Sequence, residues 1–522
     1  MNGKKLVALM LACLMLLSVP AVLATDGKAK IPLRVVVKHD IATDQLSFAD
    51  MKLFNELEEQ AGVDIQWEEI PSSAMAEKVG LILAGGDLPD AFWGEGLSDA
   101  DILNNAGTAF IPLNDLIEKF APNLKAVLEK RPELKAVITA SDGNIYSLPR
   151  VRELYFPAGR TTWGINQKWL NALKLEMPTT TEEFYDVLVA FKTLDPNGNG
   201  RNDEIPFIFQ HKMGSGSVRS EADLYPAFGV FDNTSNNVLT YHLMMESGKV
   251  LFTPVQNGYK EALKFMNRLY SEGLMDKEVF TTDSATYYAK VRSEDDIVGA
   301  LIDWTIDDSV GMEKSKANWS QPSALIGPNG DRGWGIVSGS QYARNYFCMT
   351  IANQYPEETM KWVDQMYAPE NSVQLYYGPE GVMLERQGDK LVALEPPAGM
   401  TYGTWKWGNT CADNGPLAIL SDYQTFFIPP EQQVARAKAE AYVAEYLQKE
   451  PYPNLFFSLE DTSELKKILV DINSYVESSL AQFITEGNID NNWDAYVNQL
   501  DKMKLGEALE ILQRAYDNAA VK

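Results

Sequence analysis

Apolar and polar positions alternate with two periods along this chain, and the switches between them mark out αβ units. Leu33 to Val37 is a β-branched strand. A helix follows, opened by Ser47 with Asp50 and carrying Leu53, Phe54, Leu57 and Ala61 at helical spacing up to a stop at Gly62. Val63, Ile65 and Trp67 then alternate as a second strand ending at Pro71. Another helix, through Val79, Leu83 and Ala84, stops at Gly85-Gly86, and Asp87 to Trp93 leads into a third strand. A β-α-β-α-β run of this kind packs as a parallel sheet covered by helices.

A mostly helical stretch around Pro112 to Pro132 and a tight Asp142-Gly143 turn come next, followed by an extended crossing from Arg150 to Phe156 between two prolines. Thr161 to Ile165 is the strand of a second αβ unit. Its helix is capped near Thr180 and carries Phe184, Val187, Leu188 and Phe191 on one face. Lys260 to Tyr270 reads as helix, Ile297 to Trp304 as buried strand, and the chain is helix-rich from Pro430 to the end. With no internal repeat or low-complexity linker, the pattern predicts an α/β protein of two lobes whose chain passes between them more than once.

The second unit's helix delivers the chain into Asp195 to Glu204, DPNGNGRNDE. Oxygen-bearing side chains at Asp195, Asn197, Asn199, Asp203 and Glu204, a glycine at 200 and a main-chain carbonyl from Arg201 are the spacing with which a loop wraps calcium. Position twelve, where a bidentate glutamate is expected, is Pro206, so Glu204 would take that role. The alternative is a polar turn, since Asn-Gly and Asp-Pro are ordinary turn formers.

Composition narrows the classes. The chain has 522 residues and 45% apolar content, enough for two or three cores. Its formal charge of −26 argues against a nucleic-acid partner, which needs a basic face. Lys4-Lys5, the apolar Leu6 to Leu17 and the small residues up to Ala24 predict a signal peptide over 1–24 and an exported, periplasmic or extracellular protein. Cys13 only loosely imitates a lipid-anchored start, because the residues after it stay apolar, so a lipid anchor there is not expected. Cys348 and Cys411 could pair or remain buried thiols.

Catalytic chemistry finds little footing. Three histidines, His39, His211 and His242, are far apart, and there is no nucleophile elbow or phosphate-cradling loop. Aromatics are better placed. Trp93, Tyr155, Trp163, Trp304, Trp334, Tyr377, Trp405 and Trp407 lie mostly beside Gly, Pro or Asp at the ends of inferred strands, where αβ folds hold ligands. Such rings suit the C–H faces of sugars, with Arg150 bonding hydroxyls. Trp405 and Trp407 would share one face if their segment is extended. Core packing is the competing role for each ring.

The ordered set Gly86-Asp-Leu-Pro-Asp90, Gly143-Asn-Ile-Tyr-Ser-Leu-Pro149 and Tyr377-Gly-Pro-Glu-Gly-Val382, with the Asp195 loop, resembles extracellular solute-binding proteins of family 1. Within them it is similar to the large oligosaccharide-binding branch that includes the alginate-oligosaccharide-binding proteins. The resemblance implies a two-lobe, type II periplasmic-binding-protein fold, each lobe a mostly parallel sheet flanked by helices, with hinge crossovers and a helix-rich C-terminus. Lobe one would comprise 26–150 and 330–392, and lobe two 151–329 and 393–522. It implies a monomer, not an enzyme, that closes on an oligosaccharide and docks on ABC permease subunits. It also implies structural calcium at Asp195, Asn197, Asn199, Arg201, Asp203 and Glu204. The cleft is then expected to hold Arg150, Tyr155, Trp163, Trp304, Trp405 and Trp407, with Trp93, Tyr377 and Glu380. A secreted calcium-dependent polysaccharide-degrading enzyme is the alternative.

Overall fold

The structure is a computed structural model and describes residues 30–40, 45–140, 142–154, 162–211, 220–233, 238–335, 341–411 and 413–520. The predicted signal peptide, Cys13 and Tyr155 lie outside the described residues.

Strand Ile31–His39 pairs in parallel with Val63–Pro71 on one side and with Ala91–Trp93 on the other. Its valines are buried on both faces: Leu33, Val35 and Val37 enter a large core, while Val36 enters a smaller one with Ile70 and Phe92. That double burial explains the unbroken β-branched run. Strand Tyr342–Met349 pairs antiparallel with Ala91–Trp93 and with Leu148–Arg152, and Leu417–Ile419 closes the far edge in parallel. The large sheet thus has six strands, of which only the returning Tyr342–Met349 is reversed.

The second sheet has four short strands, in the order Trp319–Ser320, Thr162–Asn166, Val298–Asp303, Ile205–Ile208. It is mixed, because Thr162–Asn166 runs antiparallel to both neighbours while Ile205–Ile208 is parallel to Val298–Asp303. Helix Thr181–Thr193 covers it through Phe184, Val187, Leu188 and Phe191. Thr180 Oγ1 caps that helix by accepting from Glu183 N at 3.1 Å, but Glu183 turns back to Thr179 instead of Thr180. Helix Leu459–Glu486, 28 residues long, packs on helices Asn257–Ser271 and Leu505–Ala520 and completes the same core.

Two of the expected lobe boundaries are corrected. Trp334 packs on Trp163 in the second core, so the chain leaves that core after residue 334 and not at 330. Tyr402, Leu417, Ile419 and Phe427 belong to the first core, so the stretch from 393 to 427 stays with the large sheet. No local pattern signals this, because a three-residue strand carries too little periodicity to read. After Phe427–Ile428 the chain crosses again. Helix Glu431–Val443 is tied to the second lobe by Gln321 Nε2 donating to Ala439 O at 3.0 Å. Cys348 and Cys411 are free and buried, and burial pushes the Cys411 thiol up to about 12.

Candidate functional site

The carboxyl ends of the large sheet's strands gather charge. Strand Ile31–His39 carries Lys38 next to its end, the turn after Ala91–Trp93 presents Glu95, and Leu148–Arg152 presents Arg150 and Arg152. The turn before Leu417–Ile419 supplies Asp413 and Asn414, with Asp413 in the left-handed region at φ 64°. Asp413 is the hub. Its carboxylate accepts from Lys406 Nζ at 2.5 Å and Arg152 Nη1 at 2.7 Å, and its carbonyl accepts from Arg150 Nη1 at 2.8 Å. Burial works against its ionisation, but Lys406, Arg152 and Arg150 hold its pKa below the usual carboxylate range.

A second layer faces outward. Glu95 accepts from Lys38 at 2.7 Å and from the Tyr346 hydroxyl at 2.8 Å, with Arg150 3.8 Å away and stacked over the Tyr346 ring at 4.2 Å. Burial opposes its ionisation, yet Lys38 and Arg150 bring its pKa down to about 2. The Glu95 side chain is 51% exposed, so screening reduces the stabilisation to on the order of 1 kcal/mol. A depressed carboxylate contributes fully above its unfolded value of ~4.3 and loses that contribution as pH falls through the folded value. Melting curves of wild type and Glu95→Gln are therefore expected to differ near neutrality and converge as pH falls from ~4.5 towards ~2. A gap that stays constant with pH would remove this assignment.

On the second lobe, Trp304 follows strand Val298–Asp303. Its carbonyl accepts from Thr162 Oγ1 at 3.1 Å, its ring is half-buried, and Arg436 lies 5.2 Å from the ring centroid. Arg436 Nη2 is enclosed without a partner, and burial lowers the guanidinium's pKa. Asp308 accepts from Gln432 at 3.3 Å, and a side-chain carbon built on Gly403 would stand 3.8 Å from the Asp308 carboxylate. Helix Tyr402–Asn409 of the first core thus abuts the second lobe here.

Several expected cleft residues are corrected by burial. Trp93 is wholly enclosed by Phe54, Trp67 and Trp362, with ring centroids 5.2 to 5.7 Å away, and a side chain on Gly415 would collide with it. Trp163 is locked between Phe184 and Trp334, and Tyr377 between Tyr376 and Phe427. None of these three has a face to offer a ligand. Trp405 and Trp407 do not form a platform either: their segment is helical, and two helical residues apart they diverge by about 200°. Trp405 packs on Tyr402 and Trp407 is exposed. Glu380 is engaged by Arg386 at 2.9 and 3.0 Å on an outer hairpin. Of the expected set, Arg150 lies in the Asp413 cluster and Trp304 beside Arg436. Sequence reading missed Asp413, Lys406 and Arg436. Lys406 between two tryptophans and Asp413-Asn414-Gly415 before a strand were visible signals, whereas nothing local marked Arg436.

The Asp195 loop lies between helix Thr181–Thr193 and strand Ile205–Ile208. Asp195 accepts from Asn199 N at 3.1 Å and Gly200 N at 3.0 Å, and Asn199 Oδ1 accepts from Arg201 N at 2.8 Å. Asp203 takes the Asn199 amide at 3.0 Å, and Arg201 Nη2 reaches Asp295 at 2.6 Å. Glu204 Oε1 is buried with no partner, and its pKa is raised first by burial and then by the Asp203 and Asp195 charges. An enclosed carboxylate oxygen without a donor, beside two further carboxylates, fits a hard cation. Among the described residues no three His, Cys, Asp or Glu side chains form a ready metal cage, and two of this loop's five side-chain donors are asparagines.

Two α/β lobes with three chain crossings and a charged, aromatic-edged junction are the plan of a binding protein that closes on a solute. The chain belongs to the bacterial extracellular solute-binding proteins, whose family model matches residues 43–373. It is 36% identical over 482 residues to the fructooligosaccharide ABC transporter substrate-binding protein FusA of Streptococcus pneumoniae serotype 4, covering 89% of this chain and 86% of FusA. The solved structure of FusA in complex with kestose has a TM-score of 0.84 at 34% identity, covering 94% of this chain and 99% of that one. A FusA EF-hand mutant in complex with fructo-nystose gives 0.83 at the same identity and coverage. Alginate-binding AlgQ2 without calcium ion, 23% identical, shares the fold with a TM-score of 0.68 over 95% of this chain and 99% of that one. No helix among the described residues is long and apolar enough to cross a membrane.

Proposed function

We propose that the protein captures a fructooligosaccharide between its lobes and delivers it to the permease of an ABC importer, without catalysis. The observation that carries this is a half-buried Trp304 beside Arg436 on one lobe and the Glu95–Arg150–Asp413 charges on the other, where the helix bearing Lys406 abuts the second lobe. A polyhydroxylated ligand between the lobes would stack on the amphipathic ring of one and bond the fixed charges of the other. The similarity to FusA supports the sugar class. Binding energy that needs both lobes stabilises the closed form, which is the form a permease can distinguish.

The same reading assigns calcium to the 195–204 loop. Asp195, Asn197, Asn199, Asp203 and Glu204 would hold it with the Arg201 carbonyl, and the ion would neutralise the carboxylates that pin helix to strand.

Kestose and nystose are expected to raise the melting temperature with concentration, as mass action requires, and maltotriose to leave it unchanged. Trp304→Ala should weaken kestose binding roughly tenfold or more in calorimetry. Ligand recovered intact fits a binding protein, whereas shortened products would establish the secreted-hydrolase reading. No response to any fructooligosaccharide would sink the assignment.

A further inference from the structure

Strand Tyr342–Met349 carries a bulge between Ala343 and Phe347, where its register against Leu148–Arg152 shifts. Asn345 sits in the bulge at φ 69°, held by Ser147 at 3.0 Å and by Asp99 at 2.7 Å. A bulge re-aims the side chains beside it, and here it turns Arg344 out of the first lobe's sheet. Arg344 is 7% exposed, and its guanidinium forks in two directions. On its own lobe it binds Asp99 twice, Nε to Oδ1 at 2.8 Å and Nη2 to Oδ2 at 2.5 Å. Across the junction Nη1 donates to Asn454 O at 3.0 Å and Nη2 to Leu455 O at 2.8 Å, and the Phe456 ring lies 3.9 Å from the guanidinium carbon.

Residues 454–456 form the unpaired lead-in to helix Leu459–Glu486, which belongs to the second lobe's core. Helix Asp99–Asn104, capped by Ser98, also touches Leu459–Glu486. The two halves of this contact differ in kind. The Asp99 side is a bidentate ion pair within one lobe, while the far side consists of two main-chain carbonyls and one ring. Separating the lobes would leave Arg344 paired with Asp99 and its other donors open to water. No charge would be stranded, so the contact can be made and broken.

We propose that Arg344 is a positioning residue that latches the closed arrangement, with Asp99 and the Ala343–Phe347 bulge aiming it at the 454–456 segment. This rests on the solute-capture reading, because a latch between lobes matters only where the lobes open and close. The latch adds to closure without touching the ligand, so it acts mainly on how long the ligand is retained.

The test is pulsed electron resonance between spin labels on Leu81→Cys and Val470→Cys, exposed sites on the two lobes, Cys348 and Cys411 being buried. Arg344→Gln and, separately, Phe456→Ala are compared with the labelled parent, with and without kestose. The second substitution leaves the Arg344–Asp99 pair intact and so guards against a simple loss of folding. Both are expected to shrink the closed-distance population and to raise the kestose dissociation rate, roughly tenfold for Arg344→Gln, with a smaller change in association. A fall in melting temperature with distance distributions and dissociation rate unchanged would make Arg344 merely structural and overturn the proposal. If kestose closes no protein, parent included, the oligosaccharide reading fails on its own. The ligand-free distributions then decide, and equal ones overturn the latch.

Discussion

Asp413→Asn is expected to lower stability by ~3–5 kcal/mol, with a melting temperature reduced by roughly 10 °C, and to abolish tight oligosaccharide binding. Asparagine keeps the shape and tolerates the left-handed backbone at φ 64°, so the change isolates the charge. That charge is the common acceptor for Lys406 and Arg152, both side chains less than a tenth exposed. Arg150, also buried, keeps the Asp413 carbonyl but loses the neutralising charge beside it. Removing one anion from among three buried cations costs far more than the pair contributes when intact, because each cation has already given up its hydration. The remaining Glu95 cannot substitute, since it is 3.8 Å from Arg150 and already committed to Lys38 and Tyr346. Differential scanning calorimetry checks the first part and titration with kestose the second. A variant melting within ~2 °C of wild type would mean the cations find other partners and the hub is not a hub.

The sequence was most informative where one residue sets one conformation. Gly62 and Gly86 end their helices in the left-handed region, as their positions after apolar-periodic segments implied, and the Val35–Val37 run became a strand buried on both faces. It was least informative about which core a segment joins. Leu417–Ile419 is three residues long and is held in the large sheet by its pairing with Arg150–Arg152, a contact no local pattern encodes. The aromatic reading failed for the same reason. Trp93 ends a strand and Trp304 follows one, each beside Gly or Asp, yet one is sealed by Trp67 and Trp362 while the other is half-buried beside Arg436. Residue type and spacing tell that a ring is wanted at a strand end, but burial depends on what the remote helix Pro356–Asp364 brings above it. Trp405 and Trp407 went astray by period, because Thr401 caps Thr404 N at 3.1 Å and turns the segment into a helix.

Chelation is the other change expected to have a large effect. With calcium at about a hundred times its dissociation constant, binding would add ~2.7 kcal/mol to stability, all of it lost in excess chelator and restored by adding calcium back. The direction follows from the loop's charges. Asp195, Asp203 and Glu204 crowd three carboxylates into one turn, and the pKa of Glu204 is raised because its buried carboxyl ionises poorly beside the other two. A bound cation reverses that sign: ligation favours the ionised carboxylate, so the calcium response should weaken as pH falls towards Glu204's raised value and protons compete for the site. Asp195→Ala should abolish the calcium-dependent rise in melting temperature while leaving kestose affinity in calcium-free buffer close to that of wild type, since the loop's side chains bond within their own turn and to Asp295 rather than to Trp304, Arg436 or Asp413. Glu204→Gln should give the same loss of response with a smaller penalty in chelator, because it removes the one enclosed oxygen that lacks a donor. A melting temperature indifferent to chelator and to added calcium in the wild type would leave Asp195 to Glu204 as a polar turn held by its own asparagine amides.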